Sequence, residues 1–382
     1  MIHSEIINVI RNRFAGQERI FLHEPKFFGN EKKYVVSTID STFVSSVGAF
    51  VDKFESDFAS FTQTSKAIAV MNGTSALQVA LRLSGVKKEE EVLTQALSFV
   101  ATSNAILYNQ AFPVFIDVDL DTMGMSPKAL SAFLEEFGEL RDEGCFNKVS
   151  GRRIAACMPM HTFGFMCRID EILAICKTWG IPVVEDAAEA LGSSYKGQNA
   201  GSFGVFGVFS FNGNKIITSG GGGAIVSSDT NLAIKAKYLT TTAKIPHVWA
   251  YEHDELGYNF RMPNLNAALL CAQLEQFDRI KASKKDLFEE YGDHFFKCGI
   301  KLKPIPQDTD WNYWLMSLEM VDRKDRDNFL ERSNGEGVMT RPIWQLMYKL
   351  PMYLNCQRDS QVNAEYLEQR IVNIPSSARI GL

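Results

Sequence analysis

What this sequence lacks narrows the field first. Seven cysteines are scattered through 382 residues, yet no Cys-x-x-Cys pair occurs and the number is odd. A disulfide framework is therefore not expected, and a reducing compartment fits. Cys157, His161 and Cys167 fall close together, but their spacing and the missing fourth ligand argue against zinc, so no metal site is expected. No stretch approaches the ~20 apolar residues needed to cross a bilayer. The opening residues, MIHSEIINVIRNRFAG, look amphipathic but lack the continuous apolar core of a secretory signal. The expected location is the cytoplasm. No block of one charge stands out: 40 basic and 45 acidic residues leave a formal charge of −5, which argues against nucleic acid as the main partner. No GxGxxG follows a strand, no lysine-bearing phosphate loop is present, and there is no internal repeat.

What is present reads as an α/β protein. With 46% hydrophobic residues the chain can build a large core and two domains. Seven short apolar runs have the length and branching of strands: 67–71, 91–95, 112–118, 153–160, 180–186, 206–211 and 223–228. Most show little alternation, which suits strands covered on both faces. Helical runs lie between them: TSALQVALRLSG, SPKALSAFLEEFGEL with its serine–proline start, and RIDEILAICKTWG with its glycine end. Strands alternating with helices predict a mainly parallel sheet, with ligands outside the carboxyl ends of the strands. After about residue 250 the pattern changes. Residues 265–297 read as one long helix or a bent pair, and the pieces after them suit a smaller α+β unit. The expected division is 1–250, the N-terminal segment with the large domain, and 251–382, the small domain.

One lysine gives the chemistry. Lys215 sits between a short apolar strand and a glycine patch in SFNGNKIITSGGGGAI. Asp186 ends the apolar run GIPVVED, and a buried carboxylate needs a cation or a donor beside it. Gly73, Thr74 and Ser75 open a helix directly after a strand, where free N–H groups and the helix dipole attract phosphate. Together these supply the needs of pyridoxal phosphate: an amine for its aldehyde, a carboxylate for its pyridine nitrogen, and donors for its phosphate. Ala188 is small enough to lie on one face of the ring, Phe99 could stack on the other, and Ser210 could add a hydroxyl to the phosphate. The run of glycines at 220–223 fits tight backbone packing better than ligand binding. Each residue has a plainer reading alone: a surface lysine, a helix-capping aspartate, a core phenylalanine. Their coincidence in one α/β chain outweighs those readings.

The whole pattern resembles the DegT/DnrJ/EryC1/StrS family of pyridoxal phosphate-dependent sugar aminotransferases, over roughly residues 20–380. NGTSAL, SFVATSNAI, VVEDAAEALGS, SFNGNKIITSGGGGAI and GYNFRMPNLNAAL carry the resemblance. It implies the aspartate-aminotransferase fold (fold type I), with a mostly parallel central sheet in the large domain and a smaller α+β C-terminal domain. It further implies pyridoxal 5'-phosphate as cofactor, with pyridoxamine 5'-phosphate as the form that carries the amino group between substrates. Lys215 and Asp186 are then the catalytic residues, and Glu189 lies near the ring hydroxyl. Asn259 would reach the phosphate in the other subunit's site, which implies a homodimer with shared active sites.

Two departures stand out: glycine at 221, where many members have glutamate, and Glu189, where many have glutamine. With HEPKFFGNEKKYV, STFVSSVGAFVDKFE and TRPIWQLMYKLPMY, they resemble the branch that makes 4-amino sugars for legionaminic acid or related surface glycans, including lipopolysaccharide. The resemblance implies L-glutamate as donor and a UDP-linked 4-keto-6-deoxy-N-acetylhexosamine as acceptor. A dTDP- or GDP-linked keto sugar, aminated at C3 or C4, is the alternative. Ser46, His161, Arg261 and Arg341 are the candidate substrate contacts. A histidine in place of the lysine marks the family's dehydratase branch, so Lys215 argues against it. An eliminating or decarboxylating pyridoxal enzyme and a non-catalytic protein of the same fold are the competing classes. Response of the cofactor's absorbance to L-glutamate separates them.

Overall fold

The computed structural model describes residues 2–380. All seven apolar runs form strands: Lys66–Val70, Glu91–Gln95, Phe112–Ile116, Ile154–Met158, Val184–Asp186, Phe206–Ser210 and Gly223–Ser227. Their order across the sheet starts with 66–70, 223–227, 206–210 and 184–186, and continues with 154–158, 91–95 and 112–116. Parallel bridges Cys157–Val183 and Met160–Asp186 join the two sets into one surface. Pairings are parallel from Phe206–Ser210 through Phe112–Ile116, and Gly223–Ser227 runs antiparallel to both of its neighbours. Four of the strands are buried at every position, which explains the missing alternation: both faces are covered by helices.

Local signals set the helices around this sheet. Asn72 and Ser126 each cap a helix through a side-chain oxygen, and Pro127 follows the serine at the first helical position. The run SPKALSAFLEEFGEL is not helical to its end. Its helix, Pro127–Phe137, stops where Gly138 turns extended (φ −79°, ψ 144°), and Gly138–Arg141 pairs with Gly144–Asn147 as a hairpin. A Cβ at Gly138 would meet the Leu134 carbonyl oxygen at 2.4 Å and the Trp179 ring at 2.8 Å, so the turn depends on glycine. Residues 265–297 are the bent pair: Asn264–Leu274 and Phe277–Lys297, with Glu275 and Gln276 between them.

A small antiparallel sheet follows, with Ile371–Ile374 between Met316–Glu319 and Arg341–Pro342. Helix Arg323–Gly335 packs beside it. The helix Ile2–Arg13 buries Ile6, Ile7, Val9 and Ile10 and lies against Phe277–Lys297 and Arg323–Gly335. Ile20 then pairs with the Gly337–Met339 backbone through hydrogen bonds of 2.9 Å. The first helix and Ile20 are thus packed on the segment between residues 277 and 339. Among the described residues no helix is long and apolar enough to cross a membrane.

Candidate active site

The sheet topology brings distant residues to one cavity of about 650 Å³. Asp186 and Ser210 end neighbouring parallel strands, and Gly73 starts the helix after Lys66–Val70. Of the expected site residues, Gly73, Thr74, Phe99, Asp186, Ala188, Glu189, Ser210, Lys215 and Arg341 line this cavity. A larger groove of about 820 Å³ lies between Ala49–Thr62, Lys66–Val70 and Thr230–Thr240. It holds a Glu55–Lys237 ion pair but no comparable set of amine, buried carboxylates and helix-start amides. The smaller cavity is therefore the candidate site.

Asp186 is almost completely buried. Thr102 Oγ1 donates to its Oδ2 at 2.7 Å, and the Ala188 N–H donates to its Oδ1 at 3.2 Å. Burial pushes its carboxyl pKa up, against those two hydrogen bonds and the charges of Lys215 and His161. No cation makes a salt bridge to it among the described residues. The result is a carboxylate held in place, facing the cavity and short of a positive partner.

Lys215 lies in the turn after Phe206–Ser210, with its Nζ 3.1 Å from Glu189 Oε1 and 4.2 Å from the centre of the Trp314 ring. Glu189 is itself fixed. The Phe163 N–H donates to its Oε2 at 2.9 Å, and Asn312 Nδ2 donates to its backbone carbonyl at 2.8 Å. Phe163 and Gly164 both take positive φ there, 54° and 87°. Gly164 is required by close approach as well, since a Cβ would stand 2.3 Å from Asn312 Oδ1. Burial raises the Glu189 carboxyl too, with Lys215 as the main opposing influence. Trp314 is pinned by its own indole N–H, which donates to the Asn214 carbonyl at 2.9 Å.

The helix start is arranged to leave donors free. Asn72 Oδ1 accepts the Ser75 N–H at 2.8 Å, so that amide is already satisfied, and Ser75 does not line the cavity. Gly73 and Thr74 do line it, and they belong to the first turn, whose N–H groups have no partner within the helix. Ser210 crowds this point: a Cβ on Gly73 would lie 3.0 Å from Ser210 Cβ. Gly223 comes as close from the other side, where a Cβ would meet Asn72 C at 2.5 Å and Gly73 N at 2.7 Å. Within the glycine patch, Gly223 is the residue that lets backbone pack against the Asn72–Gly73 turn, whereas a Cβ on Gly220 would meet nothing within 4 Å and one on Gly221 only the Met71 carbonyl oxygen at 4.0 Å.

Other expected residues fall elsewhere. His161 is fully buried, 3.1 Å from Glu185 Oε2, with the Cys167 N–H on its Nδ1 at 3.2 Å. A ring so enclosed cannot touch a sugar in the cavity, so His161 is not the substrate contact that the sequence suggests. Asn259 is exposed, and Arg261 Nε donates to its Oδ1 at 2.9 Å. Both lie outside this chain's cavity, as does Ser46. Arg341 lines the cavity with its guanidinium on Asn334 Oδ1 and the Thr340 carbonyl, at 3.0 and 2.8 Å. Three residues that position the set were not picked out from sequence: Thr102, Trp314 and Asn312. Thr102 had a weak signal, the first of three consecutive polar residues, Thr102–Ser103–Asn104, one turn after Phe99. Trp314 and Asn312 had none beyond an aromatic-rich run.

The donor set fits pyridoxal phosphate: a buried carboxylate lacking a cation, a lysine amine beside it, and a helix start with free amides, all on one cavity. The comparisons agree. The DegT/DnrJ/EryC1/StrS aminotransferase family profile matches residues 27–381. EpsN of Bacillus subtilis (strain 168) is 36% identical over 368 residues, covering 95% of this chain and 92% of EpsN. The GDP-perosamine synthase of Escherichia coli O157:H7 is 33% identical over 355 residues, covering 93% and 92%. Among solved structures, the aminotransferase TlmJ from Streptoalloteichus hindustanus superposes with a TM-score of 0.84 at 25% identity, covering 94% of this chain and 93% of TlmJ. The chain belongs to the DegT/DnrJ/EryC1/StrS aminotransferase family and has the fold of type I pyridoxal phosphate-dependent aminotransferases.

Proposed function

We propose that this enzyme moves an amino group from L-glutamate to C4 of a nucleotide-linked 4-keto-6-deoxy-N-acetylhexosamine, with UDP as the nucleotide. The observation that carries the aminotransferase part of this reading is the buried Asp186 carboxylate, which lacks a cationic partner and shares a cavity with Lys215. Bound pyridoxal phosphate would supply a protonated ring that accepts electrons as a proton leaves the carbon bearing the amino group. Asp186 keeps the proton on the pyridine nitrogen, and Thr102 and the Ala188 N–H hold the carboxylate in its orientation. Lys215 Nζ carries the proton to and from the reacting carbon, with Glu189 and Trp314 fixing where it rests. Gly73, Thr74 and Ser210, which line the cavity at the helix start, would hold the phosphate, and Phe99 and Ala188, on the same cavity, would lie against the ring.

Arg341 suits the substrate's diphosphate: it lines the cavity, and no acidic side chain forms a salt bridge to it among the described residues. The exposed Asn259, with Arg261 and Ser46 beyond their own chain's cavity, fits the completion of a second copy's site in a homodimer.

The sequence segments that resemble the 4-amino sugar branch support the UDP-linked N-acetylhexosamine. A second reading, a GDP-linked 4-keto sugar, is favoured by the GDP-perosamine synthase at 33% identity. A panel of UDP-, GDP- and dTDP-linked keto sugars, offered to the enzyme already aminated by L-glutamate, tests both. Preference for the UDP-linked 4-keto-6-deoxy-N-acetylglucosamine supports the first reading. Preference for the GDP-linked sugar selects the second. Preference for a dTDP-linked 3-keto sugar overturns both and leaves the aminotransferase assignment intact.

A further inference from the structure

Away from the cavity, the first helix meets the end of the long helix through a set of groups suited to a metal. We propose that Glu5, His294 and Cys298 form a binding site for one divalent ion of the zinc class, which ties Ile2–Arg13 to Phe277–Lys297. One ligand atom from each residue lies within 4.8 Å of the other two. His294 Nε2 and Glu5 Oε1 are 2.8 Å apart. His294 and Cys298 are four residues apart, one helical turn, and so share a face. Cys298 is the residue at which the helix ends, φ −97° and ψ 2°. The last carbonyls of a helix carry partial negative charge, and a cation is favoured there.

The ligand types agree with the geometry. An imidazole nitrogen, a thiolate and a carboxylate are common zinc ligands, and with bond lengths of about 2.0–2.3 Å a tetrahedral ion holds its ligand atoms roughly 3.5 Å apart. The cluster reaches that spacing by side-chain rotation: the sulfur moves inward, and the His294–Glu5 hydrogen bond opens around the ion. Cys298 loses its thiol proton to solvent on binding, and His294 binds through Nε2 with its proton on Nδ1. Water takes the fourth position. Five of the other cysteines are buried and Cys356 is partly so, whereas Cys298 is exposed and within reach of an ion. The two helices are already held near this point, since Arg13 Nε lies 2.7 Å from Glu290 Oε2 one turn before His294. None of the three ligands lines the catalytic cavity, so the ion is a clasp for the first helix and takes no part in transamination.

The test uses the full-length enzyme loaded with its cofactor, titrated with zinc chloride by calorimetry and with cobalt chloride by absorbance. One zinc per chain is expected, with a near-ultraviolet thiolate-to-cobalt charge-transfer band. Cys298→Ser should abolish that band and weaken zinc binding at least tenfold, and His294→Gln and Glu5→Gln should weaken it likewise. All three side chains are partly or largely exposed, so these variants should fold, and their transamination rates should match wild type. Absence of zinc binding, unchanged affinity in Cys298→Ser and His294→Gln, or a cobalt band that survives in Cys298→Ser would overturn the proposal.

Discussion

Replacing Asp186 by asparagine keeps the shape of the side chain and removes its charge. The position is almost fully buried, so solvent cannot stand in for the lost charge. Two unit charges ~4 Å apart interact by about 4 kcal/mol at an effective dielectric constant of 20. Thr102 Oγ1 and the Ala188 N–H bond different oxygens of the carboxylate, so the single amide oxygen keeps only one of these two hydrogen bonds and part of the local polar network survives. A net loss of at least ~100-fold in kcat/KM, about 2.7 kcal/mol of transition-state stabilisation, is expected. The assay is single-turnover reaction of the cofactor-loaded enzyme with L-glutamate, followed by absorbance. A kcat/KM within about tenfold of wild type would refute the role given to Asp186. A second readout concerns the apoprotein. Burial raises the Asp186 pKa above its ordinary value, so the folded chain binds that proton more tightly than the unfolded chain does. Its contribution to stability therefore declines as pH rises from the ordinary carboxylate pKa of ~4 through the raised folded value. Apo Asp186→Asn should lose less thermal stability across that window than apo wild type. Equal slopes would show that burial does not strain this carboxylate.

Lys215→Ala and Lys215→Arg should both lose turnover while keeping the circular dichroism of wild type, and transamination within about tenfold of wild type in either would remove Lys215 from its role. Gly223→Ala should push the Asn72–Gly73 turn aside, because its Cβ would lie 2.5 Å from Asn72 C. Overpacking of this kind costs ~1–3 kcal/mol, so cofactor affinity measured by equilibrium dialysis should fall by about 5-fold to 150-fold. Unaltered affinity would detach the turn from phosphate binding. Asn259 gives a test of shared sites: mixing Lys215→Ala chains with Asn259→Ala chains should restore part of the activity once subunits exchange, because one of the two sites then carries both native residues. Proven exchange without rescue would mean that each site is built from a single chain.

Much of this arrangement was legible in the sequence, for identifiable reasons. The seven strands are short, apolar and mostly covered on both faces, so each left a compact signal bounded by turns. Asp186, Ser210 and Gly73 could be placed together because parallel strands deliver their carboxyl ends to one edge. The antiparallel direction of Gly223–Ser227 was not legible, since a buried strand has the same composition in either direction. The hairpin Gly138–Asn147 was hidden because Phe137 and Leu140 continue a helical spacing past the glycine that ends it. His161 looked available to a substrate, yet it closes a buried network with Glu185 that only tertiary packing reveals. Trp314 reaches Lys215 from a segment 99 positions away, and no local pattern carries that pairing.

Transfer of an isotopically labelled amino nitrogen tests the central claim most directly. The cofactor-loaded enzyme would be treated with L-glutamate labelled at its amino nitrogen, freed of excess donor, and then given UDP-linked 4-keto-6-deoxy-N-acetylglucosamine. The account predicts that 2-oxoglutarate appears in the first step and that the label appears on C4 of the sugar in the second, with neither event in Lys215→Ala. Labelled glutamate that yields no 2-oxoglutarate from wild-type enzyme would contradict the donor half of the account. Formation of 2-oxoglutarate with no label on C4 of this sugar would contradict the acceptor half.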